Sequence, residues 1–225
     1  MIKITYLLFL ISFSSVCLAE HTPASLHKFI PQNYEILSQS TGDLNNDGKA
    51  DLAIIIQPKN YKISDRKLLI LFKQNKSDNL ILTKKLPEWT YPDHENCLPD
   101  AFQEQAIKIR KQALSIIFNS MSTCSNWYGS TNTYHFKWIN NDFKLIGFDY
   151  DFTQKNTGEV HNTSINYITN KRKITQSSMQ PQSSKDQTKV TCQHLENLKY
   201  YTLQSIQFKP EDYFINGILK DNPTQ

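Results

Sequence analysis

The sequence predicts a mostly β fold: an antiparallel meander of about ten short strands, propeller-like or sandwich-like in closure, with a polar loop joining two of them. Apolar residues recur in short runs rich in Ile, Leu, Phe and Tyr, separated by Asn, Asp, Gly and Ser. Several runs alternate large and polar side chains on either side of a two-residue turn, as hairpins do. The composition agrees: 225 residues with 39% hydrophobic, 12% aromatic and 20% charged side chains can fill one sizeable core. Disordered, collagen-like and coiled-coil chains are excluded on the same figures. The formal charge of +4, without a long Lys/Arg run, is too mild for a nucleic-acid partner.

Residues 1–19, MIKITYLLFLISFSSVCLA, read as a secretory signal peptide. Lys3 precedes an apolar run from Ile4 to Phe13, and small residues lead to a cleavage point after Ala19. The run is too short for a membrane span. Val16 disfavours lipidation of Cys17, because the processing site prefers a small residue there. No later segment approaches about 18 consecutive apolar residues, so the mature chain is expected to be periplasmic or secreted, with no transmembrane segment.

The main β domain is expected over residues 20–175. Its first runs are Leu52–Ile56, Lys67–Phe72 and Leu80–Leu82, the last two forming a hairpin through Asn75 to Asn79. Pro87 to Pro99 contains three prolines and reads as irregular. Ile107, Ile109, Leu114 and Ile116 alternate around Lys111 and Gln112, so Ile109 should face Leu114. In TNTYHFKWINNDFKLIGFDYDF a turn at Asn140 and Asn141 would set Trp138 against Phe143, Phe136 against Leu145 and Tyr134 against Gly147. His135, Lys137 and Lys144 then share the opposite face. Beyond Gly147 the apolar positions change parity to Phe148, Tyr150 and Phe152, the mark of a bulge or of a strand covered on both sides. A last pair, Thr163–Ile168 and Lys171–Ile174, turns at Thr169 and Asn170. Residues 176–189 are polar and low in complexity, hence a loop or linker. Residues 190–225 are too short for a core of their own and should dock on the main domain, NLKYYTLQSIQF supplying one more strand. No repeat of fixed period is present, so a full propeller of matched blades is not implied.

Export leaves Cys97, Cys124 and Cys192 where disulfides persist, and an odd count leaves one over. Three single-bridge pairings exist. Continuing the Ile109–Leu114 register brings Cys97 opposite position 126, next to Cys124, so the Cys97–Cys124 bridge is the expected one. Without a CxxC pair, thioredoxin-like and zinc-ribbon chemistry have no basis.

One motif carries chemistry. GDLNNDGKADLAIII places Asp43, Asn45, Asp47 and Asp51 at positions 1, 3, 5 and 9 of a loop, with Gly48 at position 6 and the Lys49 carbonyl at position 7. Alternate hard oxygens with a glycine at the turn suit Ca²⁺. The twelfth position is Ile54, not the bidentate Glu of an EF-hand. The segment resembles the DxDxDGxxDL calcium loops of FG-GAP and VCBS repeats, matching at Asp43, Asn45, Asp47, Gly48, Asp51 and Leu52. That resemblance implies one Ca²⁺ held by Asp43, Asn45, Asp47, the Lys49 carbonyl and Asp51. More loosely, this loop followed by an LLILF strand and the Trp138 hairpin looks like a group of exported bacterial proteins of unknown function.

GxSxG, HExxH, Walker and dinucleotide signatures are absent, so the sequence names no catalytic residue. Asp93, His94, Glu95 and Cys97 are adjacent in a Pro-flanked stretch and read as polar surface, not as a zinc site. The six histidines fall singly. Aromatic residues at period two read as core; Trp127 and Tyr128, in CSNWYGST, are instead candidates for an exposed contact. The resulting expectation is an exported calcium-binding β protein acting as a non-enzymatic binding or structural module of the cell envelope or exterior, its partner a protein or glycan there. The rival is a secreted hydrolase with dispersed acidic catalytic residues, whose mark would be two carboxyls about 5 to 9.5 Å apart in one cleft.

Overall fold

The computed structural model of the chain describes residues 26–60, 65–75, 77–87, 102, 105–121, 128–179, 188–196 and 198–208. Its regular elements are β1 (Tyr34–Gly42), β2 (Asp51–Pro58), β3 (Lys67–Lys73), β4 (Asp78–Lys85), β5 (Ile107–Arg110), β6 (Ala113–Met121), β7 (Tyr128–Ile139), β8 (Asp142–Gln154), β9 (Glu159–Asn166), β10 (Lys171–Ser178) and β11 (Lys189–His194). They form two antiparallel sheets, β1 to β4 and β5 to β11, and within each sheet strand order follows sequence order. The chain is therefore a mostly β meander, as its runs and turns predict, broken once where β4 passes to β5.

The small sheet is covered on both faces, which explains why DLAIIIQP does not alternate. Every residue of β2 is buried. Ala53 and Ile55, with Leu68, Ile70 and Phe72 of β3, join the core shared with the large sheet. Leu52, Ile54 and Ile56, with Leu69 and Leu71, form a second cluster that Leu26, Phe29 and Ile30 cap from outside. A strand buried on two faces reads as a continuous apolar run.

In the shared core the aromatic residues interlock at edge-to-face and tilted angles. Phe72 of the small sheet stands 5.0 Å from Trp138 of the large one, at 88°. Phe118 packs at 4.8 Å on Phe102 and 5.2 Å on Phe208. Of the period-two aromatics, Tyr134, Phe136 and Phe148 are core and Trp138 and Tyr150 pack partly buried against it, whereas Phe152, half-buried, is not part of this cluster. Phe208 belongs to a C-terminal strap, residues 198–208, in place of the strand read in NLKYYTLQSIQF. The strap makes one bridge, Thr202 with Lys144, and Leu203 N–H donates to the Phe143 carbonyl at 2.7 Å. Thr202 and Ser205 bond each other's side chains and backbone, closing a turn that interrupts any ladder.

Register follows the hairpin arithmetic over most of its length. Ile109 faces Leu114, Trp138 faces Phe143 and Phe136 faces Leu145. Both residues of each two-residue turn have positive φ: Lys111 and Gln112, Asn140 and Asn141. Tyr134 does not face Gly147. The β7–β8 register slips between His135 and Phe136, so Tyr134 lies opposite Phe148 and His135 opposite Gly147. The bulge returns Phe148 to the core face, and it is the physical origin of the parity change. The β9–β10 turn spans Tyr167 to Asn170, with Asn166 Oδ1 accepting the Ile168 and Thr169 N–H groups. Gln176–Ser178 extend β10 against Glu159–His161, and Lys189 already opens β11, so the polar loop is shorter than the 176–189 expectation.

The two sheets join where β1 crosses β5. Ile109 N–H donates to Ser40 Oγ at 2.9 Å. A Cβ on Gly42 would stand 2.6 Å from Ile109 Cγ2, so only glycine permits this approach. Gly42→Ala should therefore cost about 1–3 kcal/mol, as overpacking does. In an Ile109→Ala background, where Cγ2 is gone, the same change should cost far less. Urea melts of the four proteins check this, and strictly additive losses would contradict the contact.

Candidate functional site

The connection from β1 to β2 is built by its own side chains. Asp43 accepts the Asp47 N–H at Oδ1 (3.2 Å) and the Gly48 N–H at Oδ2 (3.0 Å). Asn45 Oδ1 accepts the Asp47 N–H at 3.0 Å, and Asp47 Oδ1 accepts the Lys49 N–H at 2.9 Å. Asn46 and Gly48 take positive φ, which Asn tolerates and Gly adopts freely. Acceptor-bearing residues at every second position, Asp43, Asn45 and Asp47, thus wind the loop around four side-chain oxygens.

Asp51 closes the loop from inside. It is fully buried; Oδ2 accepts the Leu44 N–H at 2.8 Å and Oδ1 accepts the Lys73 N–H at 2.9 Å. Burial pushes its carboxyl above the ordinary value, and the charge of Asp47 adds to this. The Lys73, Leu44 and Asn45 N–H groups pull the other way without cancelling it.

All five predicted calcium ligands, Asp43, Asn45, Asp47, Lys49 and Asp51, sit in this one connection. Their oxygens have the hard chemistry Ca²⁺ takes, and a carboxylate oxygen bonded to one N–H keeps a further lone pair. Their spacing is that of a hydrogen-bonded turn: among the described residues no three His, Cys, Asp or Glu side chains converge as a metal-holding group. Asp51 in particular already serves two backbone donors. The donor set fits the ion; the carboxylates would have to draw together around it.

The outer face of the large sheet carries a second cluster. Ser115 Oγ and His135 Nδ1 are 2.8 Å apart, directly opposite on β6 and β7. His135 Nε2 lies 2.8 Å from Asp149 Oδ2 on β8, and Ser164 of β9 bonds the same carboxylate. Burial alone would push the Asp149 carboxyl up; the His135 and Ser164 hydrogen bonds and the His135 charge outweigh it and hold the group below its ordinary value. Gly147 makes room for the ring, since a Cβ there would lie 3.3 Å from His135 Cδ2. Beside Asp149 opens a cavity of about 310 Å³ lined by Asp151, Asn162, Ser164, Lys173 and Thr175, with Asn162 Nδ2 donating to Asp151 Oδ1. The hairpin arithmetic places His135 on this face; Ser115 and Asp149 join it only through the β6 register and the β8 bulge.

Cys97, Cys124, the Asp93–Cys97 cluster and Trp127 lie outside the described residues. Tyr128 opens β7. Cys192 stands in β11, exposed, with a free thiol. No helix among the described residues is long and apolar enough to cross a membrane.

No family model matches the chain, and no curated protein matches it. Among solved structures it is similar to the β-propeller domain of Nup133 from Vanderwaltozyma polyspora, at 13% identity and a TM-score of 0.25, over 72% of this chain and 48% of that one. The chain spans about half the length of that domain, and so slight a likeness carries no functional argument.

Two outcomes follow from the geometry. Asp51→Asn cannot accept both the Leu44 and Lys73 N–H groups, and one buried group left unsatisfied should cost about 1–3 kcal/mol in a urea melt. At Asp149 the lowered folded value means that ionisation favours the folded state. That contribution is present in full above the unfolded value of 3.8 and is lost as pH falls through the folded value. The urea midpoints of wild type and Asp149→Asn should lie apart at about pH 5 and converge below about pH 3. A gap unchanged across this range would mean that the His135 contact does not form in solution.

Proposed function

We propose that the chain is an exported β module whose Asp43–Asp51 loop takes one Ca²⁺, and that it acts by binding a protein or glycan of the cell envelope or exterior. The observation that carries this reading is the loop itself, held by its own Asp43, Asn45 and Asp47 side chains with an oxygen donor at every second position. Asp43, Asn45, Asp47 and the Lys49 carbonyl would hold the ion, with Asp51 behind them. The ion would add positive charge among three neighbouring carboxylates, of which Asp47 already has the Lys49 ammonium at 3.8 Å. Because Asp51 also bonds β3, a tighter loop stiffens the small sheet.

A secreted hydrolase is the second reading, and one observation favours it: Asp149 and Asp151 line the same cavity. Two residues apart on β8, they project from one strand face, so both carboxyls are offered to whatever occupies that cavity, as the paired carboxyls of glycoside hydrolysis must be.

The first reading is tested by thermal melts in excess calcium and in chelator. For a Kd of about 10⁻⁴ to 10⁻³ M, free Ca²⁺ at ten times Kd should stabilise by about 1.4 kcal/mol, raising Tm by about 3 to 6 °C. Magnesium should do less, since it holds its waters and demands octahedral geometry. Asp47→Ala should remove most of the calcium shift. Superimposable wild-type curves would make the loop an ordinary turn.

A further inference from the structure

We propose that Ser115, His135 and Asp149 form an acyl-transfer relay on the open face of the large sheet, with Ser115 the nucleophile toward O-acyl esters of polyhydroxylated alcohols. This deepens the hydrolase reading and rests on it, naming a nucleophile and a substrate class that the Asp149–Asp151 pair does not supply.

One end of the relay has a set direction: Asp149, held ionised, can only accept, so His135 Nε2 carries the hydrogen that it donates across 2.8 Å. In the tautomer with its single hydrogen at Nε2, Nδ1 bears the lone pair, and Ser115 O–H, 2.8 Å away, is placed to donate to it. A hydroxyl bonded to a histidine lone pair, with a carboxylate behind the ring, has the polarity that general-base activation of a serine requires. The ring is positioned at both ends and from below: Ser115 and Asp149 hold its nitrogens, Ser164 gives Asp149 a second donor, and Gly147 leaves the space over which the ring lies. None of the three is buried. They face away from the core, which takes Leu114, Ile116, Tyr134, Phe136 and Phe148 from the same strands.

In the step this arrangement allows, Ser115 Oγ adds to the acyl carbonyl carbon as its proton passes to His135 Nδ1. The imidazolium is stabilised by Asp149, and exposed Lys108, directly opposite Ser115 in the β5–β6 register, places a positive charge beside the developing oxyanion. The ester C–O bond breaks and the alcohol leaves with the proton from His135. Water then adds to the acyl-serine, giving its proton to His135, and the carboxylic acid departs as Ser115 recovers its hydrogen. The sum is ester plus water to acid plus alcohol.

The substrate class comes from the adjoining cavity. It starts at Asp149 and is lined by hydroxyl, amide, carboxylate and amine groups, with no apolar side chain among Asp151, Asn162, Ser164, Lys173 and Thr175. That surface suits hydroxyl groups of a sugar. β8 lies two strand spacings from β6, about 9.6 Å, so the alcohol portion would span one or two sugar units between the ester and the cavity.

The test uses the purified full chain, a fluorophosphonate probe and 4-nitrophenyl acetate. One phosphonyl adduct should map to Ser115, and both labelling and turnover should vanish in Ser115→Ala, whose unchanged thermal melt shows that it folds. His135→Gln and Asp149→Asn should slow labelling about 100-fold. Ser115→Cys should instead be alkylated by iodoacetamide faster than Cys192. An adduct elsewhere, or no adduct on folded protein, would overturn the relay. Ester or 4-nitrophenyl glycoside turnover that survives Ser115→Ala but not Asp151→Asn would overturn it while keeping the hydrolase reading. Absence of any turnover and any adduct would remove both.

Discussion

A single buried carboxylate ties the small sheet to its loop. Asp51 sits at the first position of β2, the strand covered on both faces, and spends its two oxygens on backbone donors from Leu44 and from Lys73, at the far end of β3. An unpaired carboxylate at full burial would be prohibitively costly; satisfied by N–H groups it becomes a rivet between three chain segments. The loop cannot swing away without stranding Leu44, which is itself in the shared core, or freeing the Lys73 amide. Everything that happens at Asp43 to Asp47 is therefore felt where the sheets meet.

The two faces of the large sheet divide the labour. Inward, rings from β6, β7 and β8 interlock with Phe72, Phe102 and Phe208, and this apolar contact supplies the cohesion. Outward, polar side chains bond sideways across strands: Asn119 with Thr131, Ser115 with His135, Asp151 with Asn162. Such pairs stabilise a sheet modestly, but they hold donors and acceptors in fixed places. That fixity is what both binding and chemistry need, and on this molecule it is concentrated around Asp149.

The strands were legible because their determinants are local. Two-residue turns with positive φ at Lys111–Gln112 and Asn140–Asn141 set register by arithmetic, and Ile109 with Leu114, or Trp138 with Phe143, could be paired on paper. Tyr134 departs from that arithmetic because a bulge adds one residue, and the parity change that betrays the bulge does not say which residue is extra. The loop was legible for the same reason as the turns, since Asp43 to Asp51 span nine consecutive positions. The Ser115, His135 and Asp149 cluster was not. Its members lie 20 and 14 residues apart, and only the β6–β7 register together with the β8 slip makes them neighbours. Whether a loop of this kind is wound by backbone donors or by an ion also cannot be read from spacing, because the same oxygens serve either.

The outermost strand of the large sheet shows how unevenly this stability is spread. All six residues of β11 are exposed, and its ladder runs to β10 without a bulge. With no side chain committed to the core, β11 is held by backbone hydrogen bonds alone until Leu195 anchors the chain just beyond it. In amide hydrogen exchange it would behave as a separate, shallow unit, opening at a small fraction of the global free energy while the β6–β8 amides stay protected. When it peels away, β10 becomes the new boundary of the sheet, and Ile174, until then half covered, is offered to solvent along a freshly unpaired ladder. Association under mild destabilisation should then begin at this margin, long before the aromatic core is disturbed.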